Sequence, residues 1–289
     1  MQMYNYPLYR PPSEAYSLIL QVTYGCSHNK CTFCYMYKDK KFYIKSLEEI
    51  KEHIKWAKGQ YPAPSRIFLA DGNALVIPTG VLLDILAEIK DNFPSVERIS
   101  CYAAPKDLLN KDIEELIQLK KAGLSLLYLG VESGSDEVLK MVNKGVTAEE
   151  MVKAGQKAIE AGFKLSTMVI LGLGGKKLWQ QHAKETAKVI SAINPHYFSP
   201  LTLMLEGETP LNQGIQRGEF QLLSSDEVME ELRLIVENLY LDNCIFRCNH
   251  ASNYIPLKGI LNQDKAKILA EIKEIMEKKN YKNELYRGL

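Results

Sequence analysis

The chain has no run of about 18 consecutive apolar residues, so no membrane-spanning helix is expected. Its first residues, Met1-Gln2-Met3-Tyr4-Asn5-Tyr6-Pro7, lack the basic and apolar blocks of a secretory signal. It has little net charge: 36 Lys and Arg stand against 35 Asp and Glu, for a total of +1. That balance lacks the basic footprint of a nucleic-acid binder, so neither nucleic acid nor membrane is an expected partner. Cysteine is sparse, with six in 289 residues. Six thiols in a chain of this size make no disulfide framework and read instead as cofactor ligands plus plain thiols, in a reducing, cytoplasmic setting. No Gly-Lys-Ser/Thr follows the glycine-rich turn Gly172-Leu173-Gly174-Gly175, which argues against a phosphate-binding loop. Internal repeats, low-complexity tracts and clear linkers are also lacking, and the length fits one large domain or two small ones. Apolar residues, in contrast, reach 46%, enough for a sizeable core.

Three of the cysteines sit together in Gly25-Cys26-Ser27-His28-Asn29-Lys30-Cys31-Thr32-Phe33-Cys34-Tyr35. Iron–sulfur clusters are usually held by four thiolates. Three on one short loop suit a four-iron cluster whose fourth iron is left open for chemistry. Structural zinc is the competing reading, because zinc loops use similar spacings and His28 is a possible ligand. A closed zinc site normally pairs two such loops, and the other close pair, Cys244 and Cys248, lies far along the chain. Cys101, Cys244 and Cys248 are too scattered, with no fourth thiol, for a second cluster.

Short apolar runs alternate with amphipathic stretches. Ser17–Val22, Arg66–Ala70, Ile99–Tyr102, Ser125–Val131, Lys164–Leu171 and Tyr197–Leu203 read as buried strands. Ser46–Lys58, Thr79–Asn92, Lys111–Ala122, Ala148–Ala161, Leu178–Ile193 and Asp226–Leu241 read as helices. Capping-box patterns begin at Ser46, Thr147 and Ser224, and Gly123 and Gly162 mark helix stops. Such alternation gives a parallel sheet, either curved into an open barrel or doubly wound. In both, ligands bind at the carboxyl ends of the strands, where the cysteine loop falls. Cys244 to Asn262 reads as a long irregular segment ahead of a charged helix, Asp264–Lys279; such loops often act as lids.

Cys26-x4-Cys31-x2-Cys34, with Phe33 before and Tyr35 after the last cysteine, resembles the radical S-adenosylmethionine (radical SAM) superfamily. The usual spacing is Cys-x3-Cys-x2-Cys, so this chain carries one extra residue in the first gap. The resemblance implies an α/β fold, a partial (β/α)6 barrel over residues 1–240, with a C-terminal extension and helix, 241–289, closing the site within the same domain. It also implies two cofactors, a four-iron, four-sulfur cluster (4Fe-4S) on Cys26, Cys31 and Cys34, and SAM on the open iron. In that family one electron from the reduced cluster splits SAM and yields a radical that takes hydrogen from the substrate. An electron donor such as flavodoxin or ferredoxin is therefore an expected partner, with a small-molecule substrate.

The same resemblance assigns the strand ends. Asp71 and Gly72 correspond to the turn that holds the SAM amino group. Glu132 and Ser133 correspond to the ribose-contacting segment, and Lys144 lies where many relatives carry an arginine for the SAM carboxylate. Phe33, Tyr35 and Leu171, beside the Gly172–Gly175 turn, fall at the adenine pocket. Each has a plainer reading: a simple Asp-Gly turn, a carboxylate at a helix start, a solvated lysine. Asn73, Tyr102 and Glu206, and Asn249, His250, Asn253 and Tyr254 from the polar stretch after Arg247, are the expected substrate contacts; no catalytic residue is assigned. In size, domain content and cysteine loop the chain is similar to a compact subgroup of lyases that act on queuine. Cleavage of a carbon–nitrogen bond in queuine, giving 7-aminomethyl-7-deazaguanine for salvage, is the expected reaction. A porphyrin or another metabolite is the alternative substrate, and a zinc-binding interaction protein is the alternative class.

Overall fold

A computed structural model describes residues 3–288 of the chain. By contacts it divides into two compact units. The first is made of the segment ending at Asn29 together with Met36–Leu129 and Lys157–Leu165; the second comprises Lys30–Tyr35, Gly130–Gln156 and everything from Ser166 on.

The first unit opens with β1 (Leu18–Gln21), β2 (Thr23–Tyr24), β3 (Tyr43–Ile44) and helix α1 (Leu47–Gln60). It continues through β4 (Arg66–Ala70), α2 (Thr79–Asn92), β5 (Arg98–Ala103), α3 (Pro105–Asn110) and α4 (Ile113–Lys121) to β6 (Leu124–Glu132), whose last three residues belong to the second unit. β1 pairs with β4, β4 with β5 and β5 with β6, all parallel, while β2 and β3 form a small antiparallel pair. Ile67, Phe68, Leu69 and Ala70 are all buried. Burial on both faces of a parallel strand is why these segments appear as continuous apolar runs.

The lead-in to β1 has a structural task. Glu14 is wholly buried and accepts hydrogen bonds from Ser17, Arg98 (2.9 Å), Ser100 (3.0 Å) and Tyr128 (2.6 Å). A buried carboxylate requires such partners, and these fix the lead-in onto β5 and β6.

The second unit contains α5 (Asp136–Met141), most of α6 (Ala148–Glu160), β7 (Lys164–Leu171), α7 (Gly175–Ile193), β8 (Tyr197–Thr202) and α8 (Pro210–Gln216), followed by α9 (Ser225–Asn238), β9 (Cys244–Cys248), β10 (Leu257–Leu261) and α10 (Lys265–Lys278). β7, β8 and β9 run parallel, and β10 returns antiparallel to β9, with Leu257 opposite Cys248 and Leu261 opposite Cys244. Helices α7 and α9 pack on each other, and α10 packs on α9.

The six expected strands all form within one or two residues of their expected limits. The capping boxes form as well: Glu49, Glu150 and Glu227 each accept from the backbone of Ser46, Thr147 and Ser224 at 2.7 Å, and each donates its own N–H to that residue's hydroxyl. One expectation needs correction. Cys244 to Asn262 is not irregular throughout but holds the hairpin β9–β10, with Cys244, Phe246 and Cys248 buried in strict alternation. The helix expected over Lys111–Ala122 forms as α4 (Ile113–Lys121), and a separate short helix, α3, precedes it from Pro105, whose fixed φ suits a first helical position. No helix among the described residues is long and apolar enough to cross a membrane.

Candidate functional site

In the first unit the chain leaves β1 and β2 and enters the cysteine loop at Gly25-Cys26-Ser27. The turn after β4, Asp71-Gly72-Asn73, lies along it and bonds to it residue by residue. Gly25 N–H donates to Asp71 Oδ2 (3.1 Å), and Gly72 N–H donates to the Gly25 carbonyl (3.1 Å). Ser27 N–H donates to Asn73 Oδ1 (3.0 Å), and Asn73 Nδ2 donates to Ser27 Oγ (2.7 Å) and Asp107 Oδ2 (2.9 Å). The contact is close because position 72 has no side chain: a Cβ there would sit 2.8 Å from Cys26 Cβ and 3.0 Å from Tyr37 Cε2. The turn expected to hold the SAM ammonium thus holds the backbone around the first cysteine.

Asp71 is wholly buried, and its Oδ2 already meets the Lys40 ammonium (3.0 Å) and the Gln21 amide (3.0 Å). Lys40 also donates to the carbonyls of Asn5 (3.0 Å) and Pro7 (2.6 Å) and lies over the Tyr24 and Tyr37 rings. The carboxylate expected to meet a ligand's ammonium is therefore neutralised by one from the protein itself. Asn73, expected at the substrate, is 1% exposed and spends both ends of its amide on Ser27 and Asp107. Tyr102 is partly exposed, its ring edge-on to Phe68 (5.1 Å) and Tyr128 (6.1 Å).

Replacing Gly72 by alanine is expected to reduce bound iron severely while leaving the fold intact. The new methyl would push directly on Cys26, a strain of about 1–3 kcal/mol. Gly80→Ala on α2, where a Cβ meets nothing within 4 Å, is the control; it should keep full iron and gain up to about 1 kcal/mol of stability from helix propensity. Iron per chain and thermal unfolding measure both.

In the second unit, the loop residues Lys30–Tyr35 are held by backbone bonds from Thr32 N–H to the Val142 carbonyl (2.9 Å) and from Leu211 N–H to the Thr32 carbonyl (3.0 Å). Phe33 packs on an apolar cluster of Val138, Val142 and Leu173, along with Ile170 and Leu203. That places it against the residues flanking the turn after β7, where the adenine pocket was expected. Leu171 itself is 1% exposed, and its carbonyl accepts from Leu203 N–H (2.9 Å). A Cβ at Gly207 would lie 3.3 Å from the Tyr35 Cβ, so the loop after β8 runs close to Tyr35.

Glu132 ends β6 with φ 63°, in the left-handed region that few side chains other than glycine adopt. Its Oε1 accepts from Lys144 Nζ at 2.9 Å, so the residues expected at the SAM ribose and carboxylate pair with each other. Ser133 differs from expectation. Its hydroxyl is buried, meets His182 Nδ1 (2.7 Å) and accepts from Ser135 N–H (3.0 Å), so it faces the protein interior rather than a ligand.

The polar stretch after β9 divides. Asn253 is 2% exposed, donating to the Pro200 carbonyl (2.9 Å) and accepting from Thr202 Oγ1 (3.0 Å). Tyr254 is buried too; its hydroxyl donates to Glu284 (2.5 Å), and the Arg287 guanidinium stacks 4.0 Å from its ring. These two expected substrate contacts are structural anchors that tie β8 and the C-terminal turn to the stretch. His250 is half-buried, with Nδ1 accepting from Ser252 N–H (3.1 Å), and burial lowers its pKa. Asn249 is exposed and lines a groove of about 1250 Å³ with Arg247, Lys258 and Lys267. Glu206 is half-buried in the loop between β8 and α8.

The donor set suits an iron–sulfur cluster. Cys26, Cys31 and Cys34 are partly exposed, whereas Cys101, Cys244 and Cys248 are buried, and burial pushes all three of the latter thiols upward in pKa. Thiolates are the metal ligands, so the buried set is inert and the loop set is the available one. Residues 20–187 match the model of the Radical SAM superfamily.

The chain belongs to the radical SAM superfamily. Its members use a four-iron, four-sulfur cluster and SAM and need a reductant, and Cys26, Cys31 and Cys34 are the residues that would hold the cluster. The chain is 24% identical to an uncharacterized protein of Methanocaldococcus jannaschii, over 93% of this chain and 86% of that one. It is 22% identical to the heme chaperone HemW of Bacillus subtilis, over 68% of this chain and 52% of that one. Among solved structures, methylornithine synthase (PylB) superposes with TM-score 0.54 and 19% identity, over 78% of this chain and 63% of that one. Coproporphyrinogen III oxidase (HemN) of Escherichia coli gives TM-score 0.55 and 18% identity, over 76% of this chain and 51% of that one. Both likenesses concern the fold.

His182 and Glu231, buried between helices of the second unit, were missed by the sequence reading. The available signal was a polar residue at an inward position of each amphipathic helix, with Ala183 and Ala187 beside the first and Val228, Leu232 and Ile235 beside the second.

Proposed function

We propose that this radical SAM protein is a lyase acting on queuine, cutting a carbon–nitrogen bond to release 7-aminomethyl-7-deazaguanine. The observation that carries this reading is the set of polar groups near the carboxyl ends of β8 and β9: Glu206, half-buried, and His250, half-buried with its Nδ1 held by Ser252 N–H. Queuine is a guanine-like base bearing a secondary amine that is cationic at neutral pH. A carboxylate answers the cation, since hydrogen bonds between charged partners are the stronger ones. An imidazole nitrogen that donates or accepts answers the edge of the base. When bound, the cluster and SAM supply the hydrogen-abstracting radical, and the residues named here bind and orient the substrate.

Anaerobic protein with SAM, reductant and queuine should produce 7-aminomethyl-7-deazaguanine, detected by mass spectrometry. If SAM is cleaved and no 7-deazapurine is consumed, the queuine reading fails while the superfamily assignment stands. The likeness to HemW favours a second reading, a tetrapyrrole ligand. A Soret shift on titrating heme into the protein, absent with 7-deazapurines, would support that reading.

A further inference from the structure

Two segments of the second unit, the loop after β6 and the glycine turn after β7, correspond to the ribose and adenine contacts implied by superfamily resemblance. Beneath both lies a connected group of buried polar side chains from α7 and α9. Ser133 Oγ lies 2.7 Å from His182 Nδ1, and His182 Nε2 lies 3.1 Å from the Ile170 carbonyl. A carbonyl can only accept, so Nε2 carries the hydrogen, and Nδ1 accepts from the Ser133 hydroxyl. Two residues further on, Gly172 N–H donates to Glu231 Oε2 at 2.6 Å. Glu231 Oε1 is buried with no hydrogen-bond partner and sits 4.0 Å from His182 Nε2.

Helix α7 reaches the loop after β6 because of a second close approach. A Cβ at Gly134 would sit 2.3 Å from the Glu185 carbonyl oxygen, so only glycine lets the loop after β6 rest on α7. Gly134 N–H then donates to Thr186 Oγ1 (2.9 Å), one turn from His182. Burial also settles the charges. It pushes His182 down to about 4 and Glu231 up to about 8, so at neutral pH the two stand beside each other mainly uncharged.

Stability alone does not account for this arrangement. Apolar side chains of similar volume usually serve a core as well as or better than buried polar ones. What hydrogen bonds add is direction: each holds one backbone group at a defined distance and angle. We propose that His182 and Glu231 are positioning residues for SAM, holding the loop after β6 and the turn after β7 in the spacing that the ribose and adenine require. This rests on the reading of those two segments as SAM contacts. Neither side chain touches the cofactor; each acts through backbone.

The test uses the full chain with its cluster reconstituted and compares three quantities: iron per chain, thermal midpoint, and SAM dissociation constant by calorimetry. Glu231→Met keeps the volume and removes the acceptor for Gly172 N–H. It should keep its iron and bind SAM about tenfold more weakly, the effect of a single lost hydrogen bond to a buried group. Glu231→Gln retains an acceptor oxygen and should restore SAM binding to within about twofold, which a merely space-filling role would not require. Ser133→Ala, at the other end of the group, should weaken SAM in the same way and serves if Glu231→Met does not fold. A folded, fully iron-loaded Glu231→Met or Ser133→Ala with wild-type SAM affinity overturns the positioning role. Glu132→Ala separates the two levels: if it too leaves SAM affinity unchanged, the reading of these segments as SAM contacts falls, and the proposal with it.

Discussion

Replacing Cys26, Cys31 or Cys34 individually with alanine is expected to bring bound iron to background and to abolish SAM cleavage. An iron–sulfur cluster with an open iron has three protein thiolates, and none is redundant. Cys101→Ala should retain both iron and SAM cleavage. Its thiol is wholly buried in β5, and burial pushes its pKa up, so it supplies no thiolate. Loss of one sulfur from the core should cost about 1 kcal/mol of stability and nothing in cofactor content. Iron analysis and visible absorbance after anaerobic reconstitution decide the matter. Full iron content in Cys31→Ala would remove the basis for the cluster assignment, and a colourless zinc-loaded wild type would favour the zinc reading.

Glu206→Ala is expected to leave SAM cleavage in the absence of substrate near its wild-type rate and to lower turnover of queuine by roughly 10²–10⁴-fold. A site built to hydrogen-bond a polar ligand discriminates on that scale when one partner is removed. The residue lies half-buried after β8, and Gly207 next to it approaches Tyr35 of the cysteine loop. Product formation and 5′-deoxyadenosine release, measured in parallel, distinguish the roles. Equal loss of both would assign Glu206 to the SAM site instead of the substrate.

The strands of this fold were legible because most of their residues are buried on both faces. A run such as Ile67-Phe68-Leu69-Ala70 has one physical interpretation once its flanking turns are seen. The hairpin β9–β10 was not legible for the opposite reason. Its outward positions carry Arg247 and Lys258, Gly259 interrupts β10, and the eight residues between the strands exceed a tight turn. The short helices α3, α5 and α8 span only one or two turns, too few for a helical period to emerge.

The site shows a sharper limit. Residue types and strand-end positions could be read, but their partners could not. Asp71 meets Lys40 across 31 residues, Glu132 meets Lys144 across 12, and Asn253 meets Thr202 across 51. Such pairs are products of tertiary contact, and they decide whether a polar side chain faces a ligand or anchors the backbone. Asn73, Ser133, Asn253 and Tyr254 all belong on the anchoring side for this reason. Cys26, Cys31 and Cys34 carry their meaning in one short loop, which is why that part of the site was readable from spacing.

The contrast between partly exposed loop thiols and deeply buried ones bears on how the protein survives air. Oxidative loss of iron would leave Cys26, Cys31 and Cys34 open to sulfenic acid formation or to bridging among themselves, lesions that thiol reductants reverse at the early steps. Cys101, Cys244 and Cys248, sealed in β5 and β9, offer no accessible sulfur for scrambling. Damage is thereby confined to the one loop whose chemistry can be reset by reductant, iron and sulfide, and an alkylation map of the iron-free protein should show three modified cysteines and three protected ones.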